Sequence, residues 1–353
     1  MSLENERSNF AAARVKKAAT LAVGTEVVDG QITDRNSAWI SDKAVALGLQ
    51  VIEHRAVADD REAISKALTE LAAQVDVLFV TGGLGPTSDD FTRELISSVF
   101  KAPLEYDSGS WAHIVKRFES MGRVAKPIQK QQCYFPKTAL VLENPAGTAN
   151  AFWLTTADPS AAERFVDVIA LPGPPAEIAV VWEKHIAAKL ESFTPLEFRE
   201  DLHIWRTLGV GESDVAERVE EAIKGSGFRV GYRAHLPYIE VKLWVPRSRA
   251  IESENVLPKI DDALAQWLVS KGKGELTDSL LLASHMGQDI RIRDEATGGL
   301  LQARLFERAK ALKLEPSQAK GSLLIESELF KPAIHDAPLG TSVTAIGIEA
   351  DEA

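Results

Sequence analysis

The sequence predicts an α/β protein built around a mostly parallel sheet, and three observations carry that prediction. Short apolar runs at Ala18–Val23, Leu49–Ile52, Val75–Val80 and Val166–Leu171 read as strands. Between the first three lie stretches whose apolar residues recur at helical spacing, and strands alternating with amphipathic helices imply parallel pairing. Several of these runs also end in loops rich in Gly, Pro, Asp or Asn, the residues that close turns. The chain has 353 residues, 45% of them hydrophobic, which is enough for two or three domains with real cores.

The elements follow in order. Ala18–Val23 leads into Gly24-Thr25-Glu26, and a loop over Asp29–Asn36 precedes a helix through Ala38, Ile40, Ala44 and Leu47. Leu49–Ile52 is the next strand, and Asp59-Asp60-Arg61 opens a helix from about residue 62 to 73. Val75–Val80 then runs into Thr81-Gly-Gly-Leu-Gly-Pro-Thr-Ser-Asp-Asp90. A helix is expected to begin near Asp89, with Thr87 or Ser88 as its N-cap, and to reach about Phe100. Another is expected over Ser108–Met121, followed by a polar connection, Lys126–Pro136, that contains Gln132. Ala139–Leu142 is a further strand, entering the turn Asn144-Pro-Ala-Gly-Thr-Ala-Asn150 and the apolar run Ala151–Leu154. Val166–Leu171 ends in Pro172-Gly-Pro-Pro175, with Glu177 just inside the next helix. Past a boundary at Phe193–Pro195, a small α/β unit is expected: strand Leu202–Leu208, helix Glu212–Ile223, hairpin Phe228–Ala234 with Ile239–Val245, and closing helix Pro258–Val269. Residues 1–16 are expected to form a loosely docked N-terminal helix.

The chemistry centres on Thr81–Asp90. Gly82, Gly83 and Gly85 supply a bare backbone that a ligand can approach, and the helix expected behind them points free N–H groups at it, a phosphate cradle. Asp89 and Asp90 would repel a phosphate unless a divalent cation such as Mg²⁺ stood between them. The alternative is that both acids only complement a helix N-terminus. Ligands of parallel sheets sit beyond the carboxyl ends of the strands, so Gly24–Glu26, Asp59 and Gly82–Asp90 are expected on one rim.

Composition bounds the partners. With 40 basic and 51 acidic residues the net charge is −11, which disfavours nucleic acid as a general partner. Glu212, Asp214, Glu217, Glu220 and Glu221 crowd one helix and argue the same way. Cys133 is the only cysteine, so no intrachain disulfide can form. No apolar run approaches the ~20 residues needed to span a bilayer. A cytoplasmic protein without a membrane partner is expected.

Thr81–Asp90, Asn144–Thr148 and Leu171–Glu177, with Gly24, Glu26 and Gly30-Gln31, resemble the CinA (competence/damage-inducible protein A) family. Val27 and Val28 stand where that family tends to have two leucines, and a glycine it usually has near Asn150 is missing. The resemblance implies a molybdopterin-binding-like domain over residues 1–192 and a KH-like domain over 193–274. It further implies a shortened deamidase-like domain over 275–353. The activity it implies is hydrolysis of ADP-ribose to AMP and ribose 5-phosphate with Mg²⁺, Mn²⁺ or Co²⁺. Asp89 and Asp90 would bind the metal, while Glu26, Asp34, Asp59 and Glu177 compete for the role of base. Substrate contacts are expected at Gly24, Asp34, Asn36, Gly82, Gly83, Gly85, Thr87, Gln132, Asn144, Gly147, Thr148, Pro172 and Gly173. Where the family's deamidase has a catalytic serine this chain has Glu295, between Asp294 and Ala296, so no deamidation of nicotinamide mononucleotide is expected. Pro338–Ile346 resembles a later strand of that domain, and the faces a shortened sheet leaves uncovered lead to the expectation of a homodimer. Two other readings stand beside the hydrolase: a nucleotide- or molybdopterin-binding module without turnover, and a factor that binds single-stranded nucleic acid through the middle domain.

Overall fold

A computed structural model of the chain describes residues 14–192, 194–235, 238–272, 274, 276–287, 290–293, 300–312, 314 and 323–326. These fall into two compact units: one runs to Asp201 and takes in Val245–Ala250, and the other joins Leu202–Trp244 to the described residues from Ile251 onward.

The first unit runs β1 (Lys17–Val23), α1 (Thr25–Val28), α2 (Arg35–Ala46), β2 (Gln50–Val57), α3 (Arg61–Ala72), β3 (Val77–Thr81), α4 (Thr92–Val99), β4 (Leu104–Tyr106), α5 (Ser108–Ser120), β5 (Tyr134–Pro136), β6 (Leu140–Leu142), β7 (Ala151–Asp158), β8 (Ala161–Leu171), α6 (Pro175–Val181) and α7 (Ala187–Ser192). Six strands form its central sheet in the order β2-β1-β3-β8-β7-β6. β2, β1, β3 and β8 are parallel, as the alternation of strands and helices predicts. β7 and β6 are antiparallel to their neighbours. Their connections, residues 143–150 and 159–160, are too short for the helical crossover of a dozen or more residues that parallel pairing needs.

Alternate residues of a strand face opposite sides of the sheet, and here both sides are covered. Leu21, Leu78, Val80 and Val168 pack with Leu68 and Leu71 of α3 and Ile96 of α4. Val77, Phe79, Ile169 and Leu171 pack with Ile40 of α2, Ile178 of α6 and Trp182. This is why β3 reads Val-Leu-Phe-Val-Thr, with each of its residues buried. Two of the helices on these faces, α2 and α3, start where the sequence supplies a cap: Asp34 accepts from the Ser37 N–H at 2.9 Å and Asp60 from the Ala63 N–H at 2.8 Å.

At the end of β3 away from the glycine turn, Arg164 ties the sheet to α3. It donates to the Val75 carbonyl at 2.7 Å, to the Ala72 carbonyl and to Asp158 Oδ2 at 2.7 Å. Burial alone would raise the Asp158 carboxyl, but the Ser160 N–H and hydroxyl and the Arg164 guanidinium outweigh it and hold the group below the usual carboxylate range. A carboxyl lowered on folding contributes stability that is complete above its unfolded pKa and is lost as pH falls through its folded one. Asp158→Asn is therefore expected to destabilise the protein at pH 7, with a difference from wild type that shrinks below about pH 4. Urea unfolding from pH 7 to 3 checks this; a difference that stays constant with pH contradicts it.

The second unit runs β9 (Glu200–Leu208), α8 (Glu212–Ala222), β10 (Arg229–His235), β11 (Tyr238–Pro246), α9 (Ala250–Ser253), α10 (Leu257–Leu264), β12 (Leu268–Lys271), α11 (Leu276–His285), β13 (Ile290–Arg293), α12 (Leu300–Ala311) and β14 (Leu323–Glu326). Its sheet order is β10-β11-β9-β12. Val215 and Val219 of α8, Ile260 and Leu264 of α10, and Val241 and Leu243 of β11 are buried. The helix expected over Pro258–Val269 ends at Leu264, because Leu268–Lys271 pairs with β9 as an edge strand. β13 and β14 form a parallel pair, and Arg308 of α12 grips Asp278 of α11 with two bonds of 2.7 Å. Residues 294–299 and 338–346, on which the deamidase expectation rests, lie outside the described residues, as do residues 1–13. Among the described residues no helix is long and apolar enough to cross a membrane.

Candidate active site

A cavity of about 940 Å³ opens beyond the carboxyl ends of β1, β2, β3 and β8. Of the residues singled out from the sequence, Gly24, Glu26, Asp34, Asn36, Asp59, Gly82, Gly83, Gly85, Asp89, Asp90, Gln132, Thr148, Pro172, Gly173 and Glu177 line it. Thr87, Asn144 and Gly147 do not, and their interactions explain why.

Gly82 and Gly83 have φ of 92° and 63°, the left-handed region that favours glycine. A Cβ on Gly82 would lie 2.2 Å from the Val23 carbonyl oxygen, one on Gly83 2.1 Å from Thr92 Oγ1, and one on Gly85 2.3 Å from Asp90 Oδ2. The chain's own atoms and backbone therefore require glycine at Gly82 and Gly83, whether or not a ligand approaches the turn. Asp90 closes the turn from within. Its Oδ1 accepts the Gly85 N–H at 2.8 Å, and its Oδ2 accepts the Thr87 N–H at 2.9 Å and the Thr87 hydroxyl. A carboxylate offers about four acceptor sites, so three of Asp90's are taken and little is left for a metal. The same closure delays α4, which starts at Thr92 and not near Asp89, and it turns Thr87 onto Asp90.

Beneath the turn lies Arg93, 3% exposed. Its Nη1 donates to the Leu84 carbonyl at 2.7 Å and its Nη2 to the Gly85 carbonyl at 3.0 Å. Burial pushes the guanidinium down to about 10, against the opposing pull of Asp90. Gln131 donates to the carbonyls of Thr87 and Asp90 at 3.3 and 3.2 Å, and Gln132, 1% exposed, reaches Leu84 O and Thr148 Oγ1 at 3.4 Å each. Gln132 thus braces two turns. The N–H groups of Gly83 and Leu84 donate to no other described residue, and both residues line the cavity.

The turn after β6 is organised around Asn144, which is fully buried. Its Oδ1 accepts the N–H groups of Ala146 and Gly147 at 3.1 and 3.0 Å, and its Nδ2 donates to the Ala149 carbonyl at 2.9 Å and to Glu177 Oε2 at 2.7 Å. All four of its side-chain hydrogen bonds are made inside the protein, so Asn144 positions Glu177 and has none left for a ribose. Gly147 is likewise spoken for, since a Cβ there would lie 2.2 Å from Glu177 Oε2. His113 and Arg117 of α5 hold the turn from outside: His113 Nε2 lies 3.0 Å from the Gly147 carbonyl, and Arg117 donates to the carbonyls of Pro145, at 3.0 Å, and Ala146. A carbonyl can only accept, so His113 Nε2 carries the proton.

Six carboxylates line the cavity: Glu26, Asp34, Asp59, Asp89, Asp90 and Glu177. Asp34 caps α2, and Asp59 Oδ2 accepts from the Thr25 N–H at 2.8 Å and hydroxyl at 2.9 Å. Asn36 is tied to the Gly173 carbonyl at 2.7 Å. Asp89 is exposed, and the Thr87 hydroxyl and its own backbone N–H hold its carboxyl below the usual carboxylate range. Thr87 Oγ1 is within hydrogen-bond reach of both the Asp89 and Asp90 carboxylates. Glu26 is exposed and is the one member of the six whose carboxylate takes no hydrogen bond or ion pair from the described residues. Among the described residues no group of three or more His, Cys, Asp or Glu side chains could hold a metal ion. The acids still suit Mg²⁺, which typically takes one or two carboxylates and fills its shell with waters and substrate phosphates.

Sequence reasoning passed over Arg93, Gln131, His113, Arg117 and Arg35. His113 and Arg117 were visible as an i,i+4 pair on one helix face. Arg93 and Gln131 act on backbone carbonyls, which no residue pattern marks.

Residues 19–192 match the family described as a probable molybdopterin binding domain. A CinA-like protein of Anaeromyxobacter dehalogenans is 33% identical over 291 residues, covering 80% of this chain and 68% of that protein. The chain belongs to the CinA-like family. A CinA-like protein of Parasynechococcus marenigrum is 29% identical, over 90% of this chain and 75% of its own. The crystal structure of CinA from Thermoplasma acidophilum covers 50% of this chain and 98% of its own, at 27% identity and a TM-score of 0.44. In this CinA-like chain the molybdopterin-binding-like fold is thus the domain that carries the cavity.

Proposed function

We propose that the first unit hydrolyses the pyrophosphate bond of ADP-ribose or a related nucleoside diphosphate sugar. One observation carries the reading: an unpartnered pair of amides, Gly83 and Leu84, shares a single cavity with six carboxylates. The cavity falls in the range of about 300–1,000 Å³ that small-molecule sites occupy. The amides bind a phosphoryl oxygen, and the side chains from the loops after β1, β2 and β8 enclose the rest of the nucleotide. Glu26, free of other partners, orients a water and takes its proton. Water oxygen bonds to one phosphorus, the bridging P–O bond breaks with its oxygen leaving on the other phosphate, and Glu26 passes the water's proton to that leaving oxygen or to solvent, giving AMP and ribose 5-phosphate. Asp89 is the residue that would hold a divalent cation together with the substrate phosphates, and such an ion supplies charge neutralisation to the phosphoryl groups.

The test is AMP release from ADP-ribose by the full chain with Mg²⁺, Mn²⁺ or Co²⁺. Asp89→Asn is expected to cut the rate about 10²-fold or more while leaving the urea midpoint unchanged, since the side chain is exposed. No AMP with any of the three metals sinks the hydrolase reading. A second reading then gains: a nucleotide-binding module without turnover. Tight AMP binding with no hydrolysis is its signature.

A further inference from the structure

We propose that Arg35 binds the phosphate of the nucleotide directly, so that this chain holds its ligand without requiring a divalent cation. The inference rests on the nucleotide reading of the cavity but not on turnover.

Arg35 is the one basic side chain among the residues that line the cavity. It is exposed, and its guanidinium makes no hydrogen bond or ion pair with another described residue, although six carboxylates share the same walls. Four of those acids are already occupied: Asp34 by Ser37, Asp59 by Thr25, Asp90 by Gly85 and Glu177 by Asn144. The backbone of Arg35 is fixed on both sides, by the Asp34 cap and by Asn36 on the Gly173 carbonyl at 2.7 Å. The Arg35 side chain therefore starts from a defined place on the cavity wall.

The position also breaks a local rule. Arg35 opens the twelve-residue helix α2, whose first turn carries no acid beyond the Asp34 cap. A helix N-terminus favours anions and disfavours cations. Local conflicts of this kind cluster at functional sites, and an anion held by both the helix N-terminus and the guanidinium removes the conflict. Arginine suits the task, since its fork of donors matches two phosphate oxygens at once and it stays charged at any physiological pH. Together with the free amides of Gly83 and Leu84, it gives the cavity a phosphate site made of the chain's own donors.

The experiment is calorimetric titration of the full chain with AMP and with adenosine, each in EDTA and in Mg²⁺, for wild type, Arg35→Gln and Arg35→Lys. Wild type is expected to bind AMP in EDTA. Arg35→Gln should weaken AMP about 10- to 100-fold, the range for losing a charge-assisted contact, and leave adenosine unchanged. Arg35→Lys should recover part of the loss. The proposal is overturned if wild type binds AMP only with Mg²⁺, if Arg35→Gln binds AMP as wild type does, or if adenosine weakens as much as AMP. Absence of AMP binding under both conditions overturns the nucleotide reading itself, and this inference with it.

Discussion

Gly82→Ala is expected to lower stability by about 3 kcal/mol and to abolish nucleotide binding. Two costs add at this position. An alanine at a φ of 92° is strained by about 1–2 kcal/mol. Its methyl would also lie 2.2 Å from the carbonyl oxygen of Val23, a backbone atom at the end of β1 that cannot swing aside as a side chain would. Overpacking of that kind costs about 1–3 kcal/mol more. Gly173 is the contrast: its Cβ position meets nothing within 4 Å, and the residue lines the cavity. Gly173→Ala should hold its urea-derived stability within about 0.5 kcal/mol of wild type and weaken AMP binding, because the methyl takes up space on the ligand's side. Equal stability of the two variants would mean that the turn is free to move and that Val23 does not fix it.

The difference between these two glycines shows where the sequence was readable and where it was not. β3 was legible because it is buried on both faces, and from Val77 to Val80 its residues are all apolar. The rim was legible for a topological reason, since loops that follow parallel strands must end on one side of the sheet. What a polar residue does within a turn was not. Asp90 at the start of a helix and Asp90 closing a loop present the same residue types in the same order, and only the positions of the Gly85 and Thr87 N–H groups separate them. Asn144 raised the same ambiguity: an amide that suits a ribose suits a turn equally well, and here the turn and Glu177 take all four of its bonds. The antiparallel edge of the sheet could have been read from the short connections flanking β7. Arg93 could not, because a guanidinium bound to carbonyls leaves no complementary acid in the sequence to reveal it.

Arg93→Met is expected to cost about 2–3 kcal/mol and to weaken AMP binding at least tenfold, although two effects oppose each other at this site. Burying a guanidinium is unfavourable. The fall of Arg93 from 12.5 to about 10 corresponds to a penalty on the order of 3 kcal/mol, at roughly 1.4 kcal/mol per unit, and methionine would relieve it. Against this stand two charge-assisted hydrogen bonds, each contributing about 1.5–3 kcal/mol. The losses do not stop there. Leu84 O keeps a weak contact with Gln132 at 3.4 Å, but Gly85 O has no other donor among the described residues, and the shorter side chain leaves unfilled volume. The hydrogen bonds therefore win, and the turn, once released, can direct its carbonyls into the cavity that Gly83 and Leu84 line. Arg93→Lys keeps the charge but not the fork, so it should fall between wild type and Arg93→Met in both stability and AMP affinity. Should Arg93→Met lose stability and yet bind AMP at full strength, the guanidinium supports the fold alone, and the turn owes its shape to Asp90 and the glycines.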